Sequence, residues 1–115
     1  MTASYLVAPA ERVAGSITVP GDKSISHRAV MFGALATGRT HVTGFLEGED
    51  CLSTMRAVAH LGVTVQRPAP GEVLVDGVGL QGLHAPGVTL DMGNAGTAMR
   101  LFMGLLSAQP FDSIL

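Results

Sequence analysis

Two eight-residue stretches of the chain have the composition of an anion-binding turn. GDKSISHR occupies residues 21–28 and GNAGTAMR occupies residues 93–100. Each begins with glycine, continues with small or polar residues and ends on arginine, and the offset is 72 (93 minus 21). A helix N-terminus has unpaired N–H groups and partial positive charge, so a glycine turn before a helix can hold phosphate or carboxylate. The pattern predicts two anion sites.

The two stretches place different side chains around the same kind of turn. In the first, Lys23 adds a compact positive charge, Ser24 a hydroxyl, and Arg28 a planar guanidinium one turn later on the same helix face. Because the two sites carry different side chains, the pattern favours two different anionic groups bound side by side. A single turn of this kind is as readily a plain strand-to-helix connection, so the prediction depends on the pairing. The second stretch lacks lysine and offers Asn94, Gly96, Thr97 and Arg100.

The first stretch lies between a predicted strand and a predicted helix. Residues 16–19 alternate, are rich in β-branched side chains and end at Pro20, which predicts a strand. A helix is expected from Ser24, and Gly38 stands where a left-handed C-terminal cap belongs. The apolar stripe predicted for this helix consists of Ile25, Ala29, Phe32 and Ala36.

A short strand, a second helix and a hairpin follow. Residues 40–45 predict the strand, and Asp50 is a candidate N-cap for a helix that ends at Gly62. Residues 63–67 and 72–76 flank a turn that contains two prolines and a glycine, which predicts a hairpin. The order is β-α-β-α-β-β, an α/β arrangement. The apolar stripe predicted for the second helix consists of Leu52, Met55, Val58 and Ala59.

The same order then starts again after a glycine-rich connection. Residues 88–91 predict a strand, and a third helix is expected over about residues 95–107. We therefore expect one complete βαβαββ unit over about residues 15–87 and the start of a second over about residues 88–115. Repetition of one unit also accounts for the two similar turns.

The last residues predict a strand that is only beginning. Gln109-Pro110 interrupts the third helix, and residues 111–115 have strand composition. We therefore expect the 115 residues to be part of a longer chain. An isolated chain should then be marginally stable or associate, because three apolar side chains of an incomplete unit stay unburied, namely Phe102, Leu105 and Leu106.

Composition disfavours several classes of function. The net charge of −2, with 14% charged residues, leaves no basic surface for nucleic acid. Cys51 is the single cysteine, so the chain cannot form an internal disulfide or a cysteine-based zinc site, and a small core residue is expected there. The other candidate ligands His41, His60 and His84 share no metal-ligand spacing.

The sequence also predicts location. No run of about 18 apolar residues is present and the first residues lack the pattern of a secretory signal, so we expect a cytoplasmic protein without a membrane partner. His27 adjoins Arg28 inside the first stretch. We expect His27 to support the site rather than to take part in chemistry.

Three segments together resemble the 5-enolpyruvylshikimate-3-phosphate synthase family: TVPGDKSISHRA, GEDCLSTMRAVAHLGV and above all LDMGNAGTAMRL. The resemblance spans nearly the whole chain but covers only the N-terminal portion of such an enzyme. It implies an enolpyruvyl transferase fold, in which two lobes (inside-out α/β barrels) are each built of three βαβαββ units. It further implies transfer of the enolpyruvyl group of phosphoenolpyruvate to the 5-hydroxyl of shikimate 3-phosphate, with release of phosphate and without a metal or organic cofactor.

The resemblance also implies a role for each residue of the two stretches. Lys23 would contact both substrates and act in catalysis, while Ser24 and Arg28 would bind shikimate 3-phosphate. Asp50 matches an acidic position near the cleft of the family, although a helix cap accounts for it equally well. The second lobe would complete the site. Four residues would form or support the phosphoenolpyruvate pocket, namely Asn94, Gly96, Thr97 and Arg100.

Gly96 adds an expectation about inhibition. In the family, alanine at this position tends to exclude the herbicide glyphosate from the phosphoenolpyruvate site, so glycine implies sensitivity. Leu101 stands where many relatives have proline, which implies different packing behind this pocket.

Two alternative functions stay open at this point. One is the sister enolpyruvyl transferase that uses UDP-N-acetylglucosamine, although its turn typically has Lys-Asn in place of Lys23-Ser24. The other is a non-catalytic domain that binds an anion and turns nothing over.

Overall fold

The computed structural model describes residues 2–115. Its regular elements alternate between helix and strand along most of the chain, as the sequence predicts for an α/β fold. In chain order they are α1 (Lys23–Leu35), β1 (Thr37–Val42), α2 (Glu49–His60), β2 (Thr64–Gln66), β3 (Val73–Val78) and α3 (Gly96–Ser107).

The three strands form one sheet in the order β1-β3-β2, with both neighbours antiparallel to β3. The predicted hairpin is confirmed, because β2 pairs with β3 through Val65 and Val75. Since β1 and β2 both run against β3, they are parallel to each other, and α2 is the crossover between them. Gly62 has a φ of +96° directly after the end of α2, as expected for a helix-terminating glycine.

Helix α1 is present, but the predicted buried face is wrong. Ile25 and Phe32 are both 69% exposed. The helix instead buries Ser26, His27, Val30, Met31, Gly33 and Ala34. Two polar side chains on this inner face have internal hydrogen-bond partners, which lowers the penalty that normally keeps such groups at the surface.

Two predicted helix caps are also corrected. Gly38 has a φ of +94° but lies within β1, where it pairs with Gly77, and the C-cap of α1 is Ala36. Asp50 lies inside the first turn of α2, whose N-cap is Gly48. Its carboxylate is therefore available for a contact with another element.

Three predicted strands do not form in the described part of the chain. Residues 16–19, 88–91 and 111–115 have no strand assignment, although Leu90 N–H donates to the Ile114 carbonyl at 2.8 Å. An alternating sequence becomes a strand only where a neighbouring strand satisfies its backbone groups. Within residues 2–115 the segment before Pro20 contacts no such neighbour and is exposed throughout.

The core lies between the sheet and the helices, and it includes part of α3. Phe102 is fully buried and Leu106 is 6% exposed, so the prediction that these two side chains stay unburied is wrong. The exposed apolar side chains lie elsewhere, with Leu80 at 73% and Met103 at 59%. None of the helices within residues 2–115 has the length and apolar character that crossing a membrane requires.

Candidate functional site

The first turn places Lys23 at the start of α1, opposite the start of α2. Its Nζ donates to Asp50 Oδ2 at 3.1 Å, and the two side chains are 52% and 28% exposed. Ser24, which is half-buried, follows directly. The turn thus presents a lysine and a hydroxyl at an accessible helix end.

A second contact one turn further along shows how the two helices are arranged. His27 Nδ1 and Thr54 Oγ1 are hydrogen-bonded at 2.7 Å, and both residues are fully buried. Lys23–Asp50 and His27–Thr54 both join residues 27 apart in the chain, and both partners advance by four residues. Helices α1 and α2 therefore run in the same direction. Their N-termini, with their partial positive charges, lie side by side.

The turn before α1 is held by contacts with the segment that follows β1. Ser26 Oγ accepts from Leu46 N–H at 3.0 Å and donates to the Asp22 carbonyl at 2.7 Å. A Cβ on Gly21 would lie 2.0 Å from the Gly44 carbonyl oxygen. Gly21 therefore allows this backbone approach, a packing role that the sequence did not reveal.

The second turn lies against α2 as well. Gly93 has a φ of +55°, and its N–H donates to Asp91 Oδ1 at 2.8 Å. A Cβ at Gly93 would lie 3.2 Å from Ser53 Oγ, and Arg56 donates to that same hydroxyl at 2.9 Å. The first stretch therefore meets α2 at Thr54, through His27, and the second turn meets it at the preceding residue, Ser53, through Gly93. The structure brings the two predicted anion sites to one helix.

The two arginines occupy equivalent positions in the two turns. Arg28 Nη1 donates to the Ser24 carbonyl and Arg100 Nη1 donates to the Gly96 carbonyl, each at 3.0 Å. Both side chains are exposed, and both fold back four residues along their own helix. The two donors are 72 residues apart (100 minus 28), and so are the two acceptors (96 minus 24). The same side-chain contact at the same offset is typical of an internal repeat.

The remaining predicted residues surround the start of α3. A shallow hollow of about 170 Å³ is lined by Asn94, Gly96 and neighbouring residues, with Met99 at its edge. Asn94 is exposed and Thr97 is half-buried. A larger apolar groove of about 330 Å³ separates α1 from α3 and includes Arg28 in its lining.

Burial changes the titration of two side chains behind the first turn. Desolvation lowers the pKa of His27 below its ordinary 6.5, and the nearby Asp50 carboxylate opposes this effect. Desolvation, assisted by Asp50, raises the pKa of the Cys51 thiol. Cys51 is fully buried and its Sγ lies 3.7 Å from the Lys23 carbonyl, so the expectation of a core cysteine is confirmed.

Sequence reasoning missed the residues of α2 that support both turns. Ser53 and Thr54 are buried polar residues of an otherwise apolar helix face. The sequence did contain a signal for Thr54. It follows Asp50 by one helical turn, just as His27 follows Lys23, so the two pairs can meet when the helices lie side by side. Within residues 2–115, no three His, Cys, Asp or Glu side chains are grouped so that they could hold a metal ion.

Comparison with known proteins places the chain in one family. The family model described as EPSP synthase (3-phosphoshikimate 1-carboxyvinyltransferase) matches residues 7–115. The chain belongs to the EPSP synthase family. A relative of that family from Chloroflexus aurantiacus, named 3-phosphoshikimate 1-carboxyvinyltransferase, is 57% identical over 110 residues, which is 96% of this chain and 25% of the relative. A relative of the same name from Acidithiobacillus ferrooxidans is 58% identical over 111 residues, covering 96% of this chain and 26% of the relative.

The solved structures agree with the family assignment. The EPSP synthase from Acinetobacter baumannii matches with a TM-score of 0.82 and 62% identity, over 86% of this chain and 22% of that one. The predicted fold class, an α/β fold of the enolpyruvyl transferase type, is confirmed. The chain spans about a quarter of the length of the EPSP synthases that it matches.

Proposed function

We propose that this protein transfers the enolpyruvyl group of phosphoenolpyruvate to the 5-hydroxyl of shikimate 3-phosphate and releases phosphate. Membership of the EPSP synthase family supports the reaction class. The observation that carries the proposal is the placement of both glycine turns on α2, beside the adjoining N-termini of α1 and α2. Two anionic substrates that must react with each other need such a preorganised, positively charged surface.

Lys23 is the proposed catalytic residue of this chain. Its ammonium lies where α1 and α2 begin and is half exposed, so it can contact both substrates. The proposed reaction adds the 5-hydroxyl to phosphoenolpyruvate to form a tetrahedral intermediate, which then eliminates phosphate. Charge develops on the departing phosphate in that second step, and a fixed cation stabilises it. Asp50 holds the ammonium in this place.

Shikimate 3-phosphate is assigned to the first turn. Ser24 offers a hydroxyl at the start of α1, and Arg28 extends from the next turn. One Nη1–H of Arg28 is used by the Ser24 carbonyl. The remaining N–H groups of the guanidinium stay available for an anion, which can accept two of them at once.

Phosphoenolpyruvate is assigned to the second turn. Asn94 and Gly96 line the hollow in front of α3, and the positive end of this helix favours an anion there. Thr97 and Arg100 support this pocket from the first turn of α3. We propose that the glycine at position 96 leaves room for glyphosate in this pocket.

The proposal includes groups outside this chain. The proton-transferring groups are assigned to a second lobe and further cationic contacts to residues beyond Leu115, so residues 1–115 alone are expected to be inactive. The division into one unit over about residues 15–87 and a second from about residue 88 stays a prediction. A cytoplasmic location is also part of the proposal.

Phosphate release from phosphoenolpyruvate tests the proposal. We would compare residues 1–115 with the protein expressed to the stop codon of its gene, each with and without shikimate 3-phosphate. We expect release only by the protein expressed to its stop codon (the gene-length protein), and only when shikimate 3-phosphate is present. Release by residues 1–115 would contradict the assignment of groups outside the chain, and no release by either protein would overturn the proposed reaction.

Two variants of the gene-length protein locate the chemistry. Lys23→Met should lower kcat/KM by about a hundredfold or more, since a preorganised charge at the reacting centre is removed. Arg39→Met is the matched control: it removes the same charge from an exposed ion pair between Arg39 on β1 and Asp76 on β3, and it should leave kcat/KM within about twofold. Equal losses in both variants would remove Lys23 from its proposed role.

A further inference from the structure

The contact between His27 and Thr54 has no role in the proposed chemistry, yet it is the most buried polar contact near the site. Both residues are fully buried, and their 2.7 Å hydrogen bond joins the inner faces of α1 and α2. Within the described residues, Nε2 of the same imidazole has no hydrogen-bond partner. Burying an imidazole with one nitrogen unpartnered costs free energy. The position of this pair between α1 and α2 therefore suggests that it has a role in how the two helices pack.

The pair sets the register of two helices. If α1 moved by one turn along α2, about 5.4 Å, the imidazole would lose its only hydrogen-bond partner among the described residues, in a buried environment. The Thr54 hydroxyl would be left with its long 3.5 Å bond to the Asp50 carbonyl of its own helix. In the observed register, Lys23 and Asp50 meet one turn closer to the helix N-termini. The exposed ion pair by itself is too weak to impose that register.

We propose that Thr54, acting through His27, is a positioning residue that holds Lys23 beside Asp50 at the shared end of α1 and α2. The assignment of a functional purpose to this positioning rests on the proposed function of Lys23. The positioning itself is a property of the two helices and can be measured without any substrate.

In this proposal His27 joins the two helices through its hydrogen bond and does not act as an acid or base. Its imidazole is fully buried, so it cannot contact a bound anion in this arrangement. Burial also lowers its pKa, which keeps the ring neutral near pH 7 and able to share one hydrogen bond with Thr54. The charged groups that face it are Asp50, Lys23 and Arg28.

The reactivity of one amine tests this proposal. Lys23 is the single lysine of residues 1–115, and cleavage after arginine isolates it in the peptide of residues 13–28. The gene-length protein would be acetylated briefly at low reagent concentration, and the extent at Lys23 measured by mass spectrometry. Thr54→Val keeps the side-chain shape and removes the hydroxyl. It should speed acetylation of Lys23 about two- to fivefold, the range expected when an exposed ion pair is released.

Three controls define the outcome. Asp50→Asn removes the ion pair directly and should give the same increase, while Thr54→Ser keeps a hydroxyl and should behave like the parent. His27→Asn retains an amide near the position of Nδ1 and should also stay close to the parent. All variants are measured well below their unfolding temperatures. A Thr54→Val protein that is less stable but acetylates at the parental rate would overturn the proposal, because a merely structural role predicts that result.

Enzyme kinetics separate this inference from the proposed function. If Lys23 is catalytic, Thr54→Val should lower kcat/KM about two- to fivefold in the parent and have no further effect in a Lys23→Met background. Faster acetylation without any change in kcat/KM would leave the positioning intact and remove the catalytic role of Lys23. An unchanged acetylation rate would leave the proposed function intact and overturn the positioning.

Discussion

At the scale of single residues, the side chains predicted to bind anions are accessible, and the groups that hold them in place are buried. Lys23, Arg28 and Arg100 are exposed at the two turns. His27 was expected to support the site, and its buried contact with Thr54 agrees with a supporting position. The types of the exposed residues were sufficient to suggest phosphate or carboxylate, but their supports were recognised only from the contacts across two helices.

The buried His27 predicts a pH dependence of stability. Its pKa is lowered in the folded state mainly by desolvation, so the unfolded chain binds the proton more readily. The stabilising contribution is complete above the ordinary value of 6.5 and is lost as the pH falls below it. The free energy of unfolding of residues 1–115 should fall by up to about 1.4 kcal/mol per pH unit in that window.

Denaturant unfolding between pH 7.5 and pH 5.5 measures this effect. His27→Asn cannot titrate, so its unfolding free energy should be nearly flat over the same range, whatever its absolute value. The lowered pKa values of Glu47 and Asp76 act only in a more acidic window, below the ordinary 4.5 and 3.8. Parallel pH slopes for the parent and His27→Asn would contradict the prediction.

Gly96 carries a second prediction at the residue scale. A Cβ at this position would lie 2.9 Å from Arg100 Nη1, the end of a flexible side chain that can shift. Gly96→Ala should therefore fold normally while reducing the space in front of α3. In the gene-length protein, we expect it to raise the inhibition constant of glyphosate more than the KM of phosphoenolpyruvate. An equal rise in both constants would show a general loss of the pocket.

At the scale of elements, the helices were predicted well and their orientation was not. The periodic segments of α1, α2 and α3 are all helical, because helical spacing and terminating residues are local signals. The stripe through Ile25 and Phe32 faces solvent, since Ser26 and His27 find partners inside. Apolar content alone did not distinguish the two faces of α1.

Close packing of α1 on the sheet predicts an asymmetric response to two glycine substitutions. A Cβ at Gly77 in β3 would lie 2.2 Å from the Ala36 carbonyl oxygen and 2.5 Å from that of Gly33. Gly77→Ala must displace backbone and should reduce the unfolding free energy by about 1–3 kcal/mol or more. A Cβ at Gly104 in α3 meets nothing within 4 Å. Gly104→Ala should stabilise the chain by about 0.5–1 kcal/mol through helix propensity.

Denaturant unfolding of both variants checks this pair, with Gly104→Ala as the matched control for adding one methyl group. Comparable destabilisation by the two substitutions would show that the added methyl group, and not the approach of α1 to β3, determines the effect.

At the scale of the whole molecule, the chain is more extended than a compact domain. Its radius of gyration is 18.0 Å, compared with about 13 Å expected for a compact chain of 100 residues. The principal extents of 61 × 33 × 22 Å reflect the exposed segment before Pro20. Apolar side chains on this segment and on α1 remain in contact with solvent, including Leu6 at 101% and Ile17 at 89% exposure.

This exposed apolar surface predicts that residues 1–115 associate when isolated. Phe32 is 69% exposed on α1, so Phe32→Ser should reduce association without a loss of core packing. Sedimentation velocity over a range of concentrations would measure this, with Val75→Ala, which truncates a fully buried side chain, as the contrasting variant that lowers stability. A parent chain that stays monodisperse over the whole concentration range would contradict the prediction.

The sequence by itself determined the features that depend on neighbouring residues: the helical segments, the hairpin, the glycine turns and the repeated pattern that identifies the family. These follow from local backbone preference and from the chemistry of a few side chains near helix ends. Tertiary structure decided which face of α1 is buried, that Asp50 meets Lys23 instead of capping α2, and that both turns lie on α2. Those features depend on contacts between residues far apart in the chain, where a hydrogen-bond partner or a neighbouring strand can reverse a local preference.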